Sequence, residues 1–243
     1  MNCPVKFLEA AFDTPEKNLA CDEALLNLCA RKGQGQILRF WESLHHFVVL
    51  GYTSRAKTEV YLDRCQRMHV PVLRRCTGGG TVVQGRGCLN YVLVLRRTET
   101  GPLQTIANTN EFVLNTHKHA LTPMLGSEVE VAGTSDLAIG GRKFSGNAQR
   151  RTGDWILYHG TFLIGFDIQL IDQLLPLPPK QPEYRGGRSH REFLTNLKMS
   201  SVLMKDAIRN AWHAEGVVQL ELQEEIDRLV ATRYARKEWV DRL

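Results

Sequence analysis

Two adjacent arginines and three consecutive glycines stand together in the segment LRRCTGGGTVVQGRGCLNYVLVL, residues 73–95. Glycine lets the backbone come within contact distance of a ligand, and successive N–H groups can line an anion site. Arginine suits a phosphate or carboxylate because its planar guanidinium donates two parallel hydrogen bonds. Arg74 and Arg75 follow each other on a predicted strand, so one can face a site while the other faces solvent. The segment favours an anion site, and a glycine-rich hairpin with surface arginines is the alternative; the GK[ST] sequence of a P-loop is lacking.

The segment GTSDLAIGGRKFSGNAQ, residues 133–149, carries a lysine among small polar residues. On a regular strand, Lys143, Ser145 and Asn147 share one face. A lysine amine is a compact charge on a long stem, which suits it to bridge the oxygens of an anion. The pattern favours a ligand-contacting strand, and a lysine that protects a sheet edge from aggregation is the alternative.

The segment WILYHGTFLIG, residues 155–165, is largely apolar on both faces, as is typical of a central strand. His159 and Thr161 share one face, with Gly160 between them. A polar pair on a buried strand needs hydrogen-bond partners. The pair indicates either the polar wall of a ligand site or a histidine that is satisfied within the core.

The elements that position these segments are predicted from caps, turns and periodicity. Thr14 and Pro15 mark a helix start, and Gly33 marks its end. Helices are predicted over 15–31, 54–69, 102–121, 200–213 and 219–236. Strands are predicted at QILRFW, HFVVLGY, PVLRR, EVEVA, DLAIG, RKFSGNAQ and WILYHGTFLIG, with a hairpin turn at Gln84–Gly87 and a tight turn at Gly140–Gly141. This order predicts an α+β fold with a mixed, mostly antiparallel sheet flanked by helices.

Composition narrows the class of protein. The 243 residues are 43% hydrophobic and 23% charged, as in an ordinary globular domain. The net charge of +5 is spread along the chain, so it favours acidic or phosphate-bearing partners and predicts no nucleic-acid partner. The sequence contains no run of eighteen apolar residues, so it predicts no membrane span. The six cysteines form no CxxC pair, which predicts reduced thiols in a cytoplasmic protein and no zinc site.

Taken together, the three segments resemble those of the lipoate–protein ligase family, within the wider group of biotin and lipoate ligases and octanoyltransferases. The resemblance rests on RRCTGGG followed by GCLNY, on SDL followed by GRKFSGNA, on HGT, and on NLACDEALL, LRFW and VVLGY near the start. It covers roughly residues 5–200. It implies one biotin/lipoate ligase-like, class II synthetase-like catalytic domain over residues 1–243. A Pro/Gly/Arg-rich loop at 175–191 and a helical C-terminal segment at 200–243 are expected, without a large accessory domain.

The resemblance also implies a reaction. The carboxylate of lipoate, or of a close medium-chain acid, attacks the α-phosphate of ATP in the presence of Mg²⁺ and gives acyl-AMP. A lysine amine of a lipoyl-carrying protein then attacks the acyl carbonyl and releases AMP. Hydrogen-bond donors held in place near the oxygens that gain negative charge would stabilise the transition state most.

By the same resemblance, Lys143 is the catalytic residue and binds the carbonyl oxygen and the α-phosphate. Arg75 contacts the carboxyl or phosphate region, and Asp136 lies on the adenine and magnesium side. The other residues expected to bind substrate or adenylate are Thr77, Gly78, Gly79, Gly80, Asn90, Ser145, Ala148, His159 and Thr161.

Octanoyltransferases of the same fold are the first alternative, because they keep the lysine and add a cysteine that holds a thioester. The segment TFLIGFDIQLIDQLL has no cysteine, and EVEVAGTSDL has Ser135 instead. A serine needs an adjacent base for activation, so the sequence favours an ATP-dependent ligase, or a transferase that uses preformed acyl-AMP. A biotin ligase and a non-catalytic acyl-adenylate-binding module are further alternatives.

The resemblance implies a lipoyl-domain acceptor as a protein partner. Many members of the family also carry an accessory C-terminal domain that is not expected here, so either a separate accessory protein replaces it or the chain performs only part of the reaction. Arg185, Arg188 and Arg191 lie in or beside the loop at 175–191, where we expect them to meet an acidic acceptor.

Overall fold

The computed structural model describes residues 4–33, 35–217 and 221–243. In chain order the strands are β1 (Val5–Glu9), β2 (Gln36–Glu42), β3 (Phe47–Leu50), β4 (Val72–Arg74), β5 (Val82–Gln84), β6 (Cys88–Arg96), β7 (Glu130–Ala132), β8 (Asp136–Ile139), β9 (Arg142–Thr152) and β10 (Trp155–Leu163). The α-helices are α1 (Pro15–Lys32), α2 (Ala56–Glu59), α3 (Leu62–Arg67), α4 (Ile106–Leu125), α5 (Gln169–Leu174), α6 (His190–Phe193), α7 (Ser201–Ala211), α8 (Gln223–Leu229) and α9 (Lys237–Val240). A 3₁₀ turn covers Glu183–Arg185, and a π-helical turn covers Val230–Tyr234.

Within the described residues the strands form a seven-stranded sheet in the order β1-β2-β6-β10-β9-β8-β7 and a three-stranded sheet in the order β4-β3-β5. The β1–β2 and β3–β4 pairs are parallel, and the other pairs are antiparallel. The predicted fold class, α+β with a mixed and mostly antiparallel sheet, is therefore confirmed. No helix in the described part of the chain combines the length and apolarity needed to cross a bilayer.

The large sheet is covered by helices on both faces. On β6, Tyr91 and Leu93 pack into one apolar cluster with residues of α4 and α7. Val92 and Val94 pack into a second cluster with residues of α1 and α8. Because successive side chains of a strand point to opposite faces, burial on both sides explains the nearly continuous apolar run of this strand.

Helix α1 begins and ends as predicted. The Thr14 side chain accepts a hydrogen bond from the Lys17 N–H, and Pro15 occupies the first turn. The helix ends before Gly33, which has a φ of 61°. The buried face of α1 carries Asp22 as well as leucines, and this carboxylate reaches the strand that bears His159.

The predicted hairpin at Gln84–Gly87 is wrong. Strand β5 pairs with β3 in the small sheet, whereas β6 pairs with β2 and β10 in the large sheet. The Gly87 carbonyl accepts hydrogen bonds from the N–H groups of Ile164 and Gly165 at the end of β10, so the chain has already joined the large sheet there. The segment is a turn that carries the chain from one sheet to the other.

The predicted common face for Lys143, Ser145 and Asn147 is also wrong. Lys143 pairs with Ala138, and Ser145 pairs with Leu137, with Phe144 as an extra residue between them. Leu137 and Ala138 are successive residues, so their partners lie on opposite faces. This β-bulge moves the Lys143 side chain to the α1 side of the sheet, away from Ser145 and Asn147.

Several element boundaries differ from the predictions. Helix α4 begins and ends four residues later than predicted. The predicted helix at 54–69 is divided into α2 and α3, which are separated by Val60 and Tyr61. The predicted helix at 219–236 is observed as α8 followed by the π-helical turn, and residues 219 and 220 lie outside the described residues. The tight turn at Gly140–Gly141 lies between β8 and β9 as expected.

His117 is expected to make the fold sensitive to acid. It lies on α4, is buried, and accepts a hydrogen bond of 2.9 Å from Trp212 Nε1. Burial lowers the pKa of His117 from 6.5 to about 3. The unfolded chain therefore takes up the proton first, and the free energy of unfolding should fall by up to ~1.4 kcal/mol per pH unit from this group between pH 6.5 and pH 3.

The measurement is urea denaturation of the wild type and of His117→Gln at several pH values from 7.5 down to 4.5. Glutamine keeps an acceptor for Trp212 and does not titrate in this range. We expect a shallower decline of stability for His117→Gln below pH 6. Equal slopes for the two proteins would contradict this prediction.

Candidate active site

Polar and small residues of four neighbouring strands form one row across the large sheet. Asn90 on β6 pairs with Thr161 on β10, and Thr161 pairs with Gly146 on β9. Gly146 in turn pairs with Asp136 on β8. Residues that pair directly across strands face the same side, so these four lie on the α1 side of the sheet.

A cavity of about 530 Å³ lies over this row. Ten of the twelve expected site residues line it, namely Arg75, Gly79, Gly80, Asn90, Asp136, Lys143, Ser145, Ala148, His159 and Thr161. The other two, Thr77 and Gly78, contact residues of the lining. One part of the wall is apolar and contains Leu19, Trp41 and Val49. Three segments that are distant in sequence thus meet at one cavity.

The guanidinium group of Arg75 is hydrogen-bonded to the glycine loop, which we define as residues 77–81. Its Nη2 donates to the carbonyls of Gly78 at 2.6 Å and Gly80 at 2.9 Å, and its Nε donates to Thr77 Oγ1 at 3.1 Å. Burial lowers the pKa of Arg75 to about 10, which leaves the group charged at neutral pH. Arg75 therefore fixes the shape of the loop from inside the protein.

This arrangement leaves donors on the other side of the loop. The C=O and N–H of one trans peptide point in opposite directions. Since the Gly78 and Gly80 carbonyls face Arg75, the N–H groups of Gly79 and Thr81 point away from it. Among the described residues no acceptor is hydrogen-bonded to either N–H, and both residues line the cavity. Backbone donors arranged in this way form an anion site.

Arg74 does not face solvent, contrary to the expectation for one of the two arginines. It is fully buried and donates to the carbonyls of Gly51 and Ser54, each at 2.7 Å. It also donates to the carbonyls of Trp239 and Val240 near the C-terminal end. Arg74 thus ties α9 and the residues after β3 together beneath the glycine loop.

His159 is the middle member of a largely buried chain of hydrogen bonds. Its Nε2 lies 2.7 Å from Thr77 Oγ1, and its Nδ1 lies 3.1 Å from Asp22 Oδ2. The other oxygen of Asp22 accepts from Arg39 Nη1 at 2.5 Å. Because Thr77 also accepts from Arg75, the chain joins the floor of the cavity to the glycine loop. His159 is therefore both a hydrogen-bonded, largely buried histidine and part of the cavity wall, which combines the two alternatives left open by the sequence.

Lys143 extends over the backbone of Gly146. Its Nζ donates to Asp136 Oδ1 at 2.8 Å. A Cβ atom placed on Gly146 would lie 2.7 Å from the same Nζ, so a larger residue there would force the amine to move. The bulge at Phe144 is what brings the amine to this position.

Polar atoms without partners line the cavity near the middle of the row. Gln84 Nε2 donates to Thr161 Oγ1, which donates to Asn90 Oδ1. The remaining atoms of the two amides, Gln84 Oε1 and Asn90 Nδ2, are buried and have no hydrogen-bond partner, as is also the case for Trp41 Nε1. Since buried polar atoms are normally paired, these three indicate a place that a ligand or water fills.

The proline-rich segment, residues 175–191, covers one end of the cavity. Pro176, Pro178 and Lys180 are part of the lining. Arg185 was expected to meet an acceptor protein, but it is 3% exposed and its guanidinium lies 4.7 Å from the centre of the Phe193 ring. Arg185 therefore packs this segment against α6, while Arg191 is exposed.

No cysteine among the described residues lines the cavity. Cys76 and Cys88, the two in the first motif, are buried, and burial raises the pKa of each thiol to about 12. Cys21 next to Asp22 is also buried, with its pKa raised to about 11. A nucleophilic cysteine needs an accessible thiolate, which none of these provides.

Sequence reasoning missed Asp22, Gln84 and Tyr184 as site residues. Asp22 lies among leucines on the buried face of a predicted helix. Because a buried carboxylate is normally paired, its position could have indicated a polar partner in the site. Gln84 and Tyr184 carry no comparable signal. Both reach the site through contacts between segments that are far apart in sequence.

Comparison with known sequences identifies the family. Residues 14–212 match the family model described as the lipoyl protein ligase A/B catalytic domain. The chain belongs to the lipoyl protein ligase A/B family. Within this family it is 29% identical to an octanoyltransferase LipM of Carboxydothermus hydrogenoformans, over 98% of each chain. It is 30% identical to a protein of Aeropyrum pernix assigned as a lipoate-protein ligase A, over 95% of this chain and 89% of the relative.

Solved structures of lipoate ligases share the fold. A Thermoplasma acidophilum protein assigned as a lipoate protein ligase, with lipoic acid bound, has a TM-score of 0.82 at 21% identity and covers 99% of both chains. A lipoate-protein ligase A bound with ATP has a TM-score of 0.81 at 23% identity, with both chains fully covered. A bipartite lipoate protein ligase from T. acidophilum has a TM-score of 0.83 at 23% identity, over 99% of this chain and 98% of that one.

Proposed function

We propose that this chain is the catalytic part of an ATP-dependent lipoate–protein ligase. The observation that carries the proposal is the cavity that combines an apolar wall, a lysine held over a glycine, and backbone N–H donors without partners. A medium-chain acid joined to a phosphate needs these three features, which are an apolar surface for the chain and two sources of positive charge for the acyl phosphate.

The proposed reaction has two steps. A carboxylate oxygen of the acid attacks the α-phosphorus of ATP, and the bond to the β-phosphate oxygen breaks to release pyrophosphate. The neutral amine of an acceptor lysine then attacks the acyl carbonyl, the carbon–oxygen bond to AMP breaks, and the amine loses its proton. In both steps negative charge develops on oxygens that Lys143 and the N–H groups of Gly79 and Thr81 are placed to stabilise.

Magnesium is implied with ATP. Among the described residues no group of three His, Cys, Asp or Glu side chains could hold a metal by itself. Magnesium usually keeps several waters and takes one or two carboxylates plus substrate phosphates, so a single carboxylate is sufficient. Asp136 lines the cavity beside Lys143 and would be that carboxylate; because its two oxygens already accept from Lys143 and Tyr184, the metal would be held mainly by the phosphates and water, where it would offset phosphate charge.

Octanoyl transfer is the second candidate, because the LipM relative matches 98% of both chains. That activity would need a nucleophile near Lys143, and Ser135 is the residue in the expected place. Its Oγ donates to the Asn147 carbonyl at 3.0 Å, and no described base is bonded to it. A serine in this setting is not activated, so the geometry supports the ligase.

The proposed protein partners are a lipoyl-domain acceptor and an accessory protein supplied in trans. The bipartite T. acidophilum ligase, which was studied with its E2 lipoyl domain, matches nearly all of this chain and supports both partners. If the accessory protein is needed for the second step only, the chain by itself should form the adenylate and transfer it slowly. Addition of the accessory protein should then accelerate transfer.

The central test is pyrophosphate exchange into ATP with lipoate, octanoate and biotin in parallel. We expect exchange with lipoate or octanoate and none with biotin. Ser135→Ala should retain exchange close to the wild-type rate. Absence of exchange with every acid, together with a covalent acyl-protein formed from octanoyl acyl carrier protein and lost in Ser135→Ala, would replace the ligase by the transferase.

A further inference from the structure

The proline-rich segment is joined to the catalytic lysine through one carboxylate. The Tyr184 hydroxyl donates to Asp136 Oδ2 at 2.7 Å, while Lys143 Nζ donates to Asp136 Oδ1 at 2.8 Å. Asp136 is 7% exposed, so its two oxygens are held from opposite sides in a largely buried place.

The backbone around Tyr184 is fixed independently of that hydroxyl. Arg188 donates to the Tyr184 carbonyl at 2.6 Å and to the Gly141 carbonyl at 3.0 Å, which ties the segment to the turn between β8 and β9. The Tyr184 ring lies 5.1 Å from the Phe193 ring and beside Gly133, where an added Cβ atom would be 3.2 Å from Tyr184 Cε1. The hydroxyl therefore reaches Asp136 only when the proline-rich segment lies on these strands.

Lys143 depends on Asp136 for its position. Its side chain is 26% exposed and crosses Gly146, which offers no side chain to hold it. Asp136 Oδ1 is the acceptor that the described structure provides for its amine. If the Asp136 carboxylate rotates, the amine loses the partner that keeps it over Gly146.

We infer that Tyr184 is a positioning residue for Lys143, acting through Asp136, so that seating of the proline-rich segment and placement of the amine are one event. The expected effect on exchange rests on the proposed function. The expected effect on the position of the Lys143 amine does not. Removal of the Tyr184 hydroxyl should leave the segment packed and free the carboxylate to rotate. The amine should then be more accessible and less well aligned.

The experiment compares Tyr184→Phe with wild type in two measurements. The first is the rate at which acetic anhydride labels Lys143 in the ligand-free protein, measured by mass spectrometry with the exposed Lys237, which lies outside the cavity lining, as the internal reference. We expect labelling of Lys143 to become several times faster in Tyr184→Phe. The second is lipoate-dependent pyrophosphate exchange, where we expect kcat to fall about tenfold, the loss typical of one hydrogen bond to a charged group, with the KM for lipoate unchanged.

Tyr158→Phe is the matched control. Tyr158 is buried and its hydroxyl has no hydrogen-bond partner, so its removal should change neither measurement. An unchanged labelling rate in Tyr184→Phe would overturn the inference, whatever the exchange assay shows. Faster labelling with an unchanged kcat would show that the amine position does not limit the reaction and would overturn the kinetic part. Failure of wild-type exchange with every acid would count against the proposed function alone, because the labelling comparison needs no substrate.

Discussion

Replacement of Lys143 by alanine is expected to reduce lipoate-dependent pyrophosphate exchange by about 10³-fold, the upper end of the loss seen when one preorganised donor to a developing charge is removed. In the structure the amine lies over Gly146 beside Asp136, and the glycine loop lines the same cavity. In the proposed mechanism an acyl phosphate bound in this cavity contacts both the amine and the backbone N–H groups of the loop. The loss should lie mainly in kcat, because in the proposed mechanism the charge that the lysine would stabilise develops in the transition state.

Two controls separate this effect from damage to the fold. The Lys143 side chain is 26% exposed and Asp136 keeps its hydrogen bond from Tyr184, so loss of the ion pair should lower the free energy of unfolding by about 1–3 kcal/mol and leave the protein folded. Lys143→Arg keeps the charge but places a larger planar group over Gly146, and we expect it to remain at least tenfold impaired. Exchange by Lys143→Ala at the wild-type rate would remove the basis of the proposed mechanism.

The sequence was sufficient to predict which segments line the cavity, because each of them contains residue types that are typical of ligand sites. Glycines beside arginine, a lysine on a strand and a polar pair on a buried strand are local signals, and the structure brings all three to one cavity. The helix cap at Thr14 and the turn at Gly140–Gly141 were also predictable for this reason. Turn and cap residues act over a few positions, so the information lies within the segment.

The sequence was not sufficient where a contact between distant segments decides the local geometry. Regular alternation along β9 predicted that Lys143 and Ser145 share a face. In the structure Phe144 is an extra residue in the pairing of β9 with β8, so the lysine lies on the opposite face. Residues 84–87 were predicted to form a hairpin turn, but β5 and β6 belong to different sheets. Likewise, the solvent position expected for one of the two arginines was wrong because the carbonyls near Trp239 come from a segment about 165 residues away.

Replacement of Gly51 by alanine is expected to have the second largest effect on activity, although Gly51 does not line the cavity. A Cβ atom at this position would lie 1.9 Å from the Gly79 carbonyl oxygen, a distance at which the glycine loop must move. The carbonyls of Gly78 and Gly80 are held by Arg75, so the displacement is resisted there and the N–H groups of Gly79 and Thr81 lose their alignment. Displacement of a group that contacts the reacting atoms by about 1 Å can cost about 10²-fold in rate, and we expect a loss of about that size in exchange.

Gly165→Ala is the matched control for this substitution, because a Cβ atom there meets nothing within 4 Å. It should leave both exchange and thermal stability close to wild type. In Gly51→Ala, hydrogen–deuterium exchange should increase at residues 77–81 and remain unchanged in the large sheet. Full activity in Gly51→Ala would show that the position of the glycine loop does not limit the reaction. The anion would then be held mainly by Lys143, and the loss in Lys143→Ala would have to account for all of the charge stabilisation in the site.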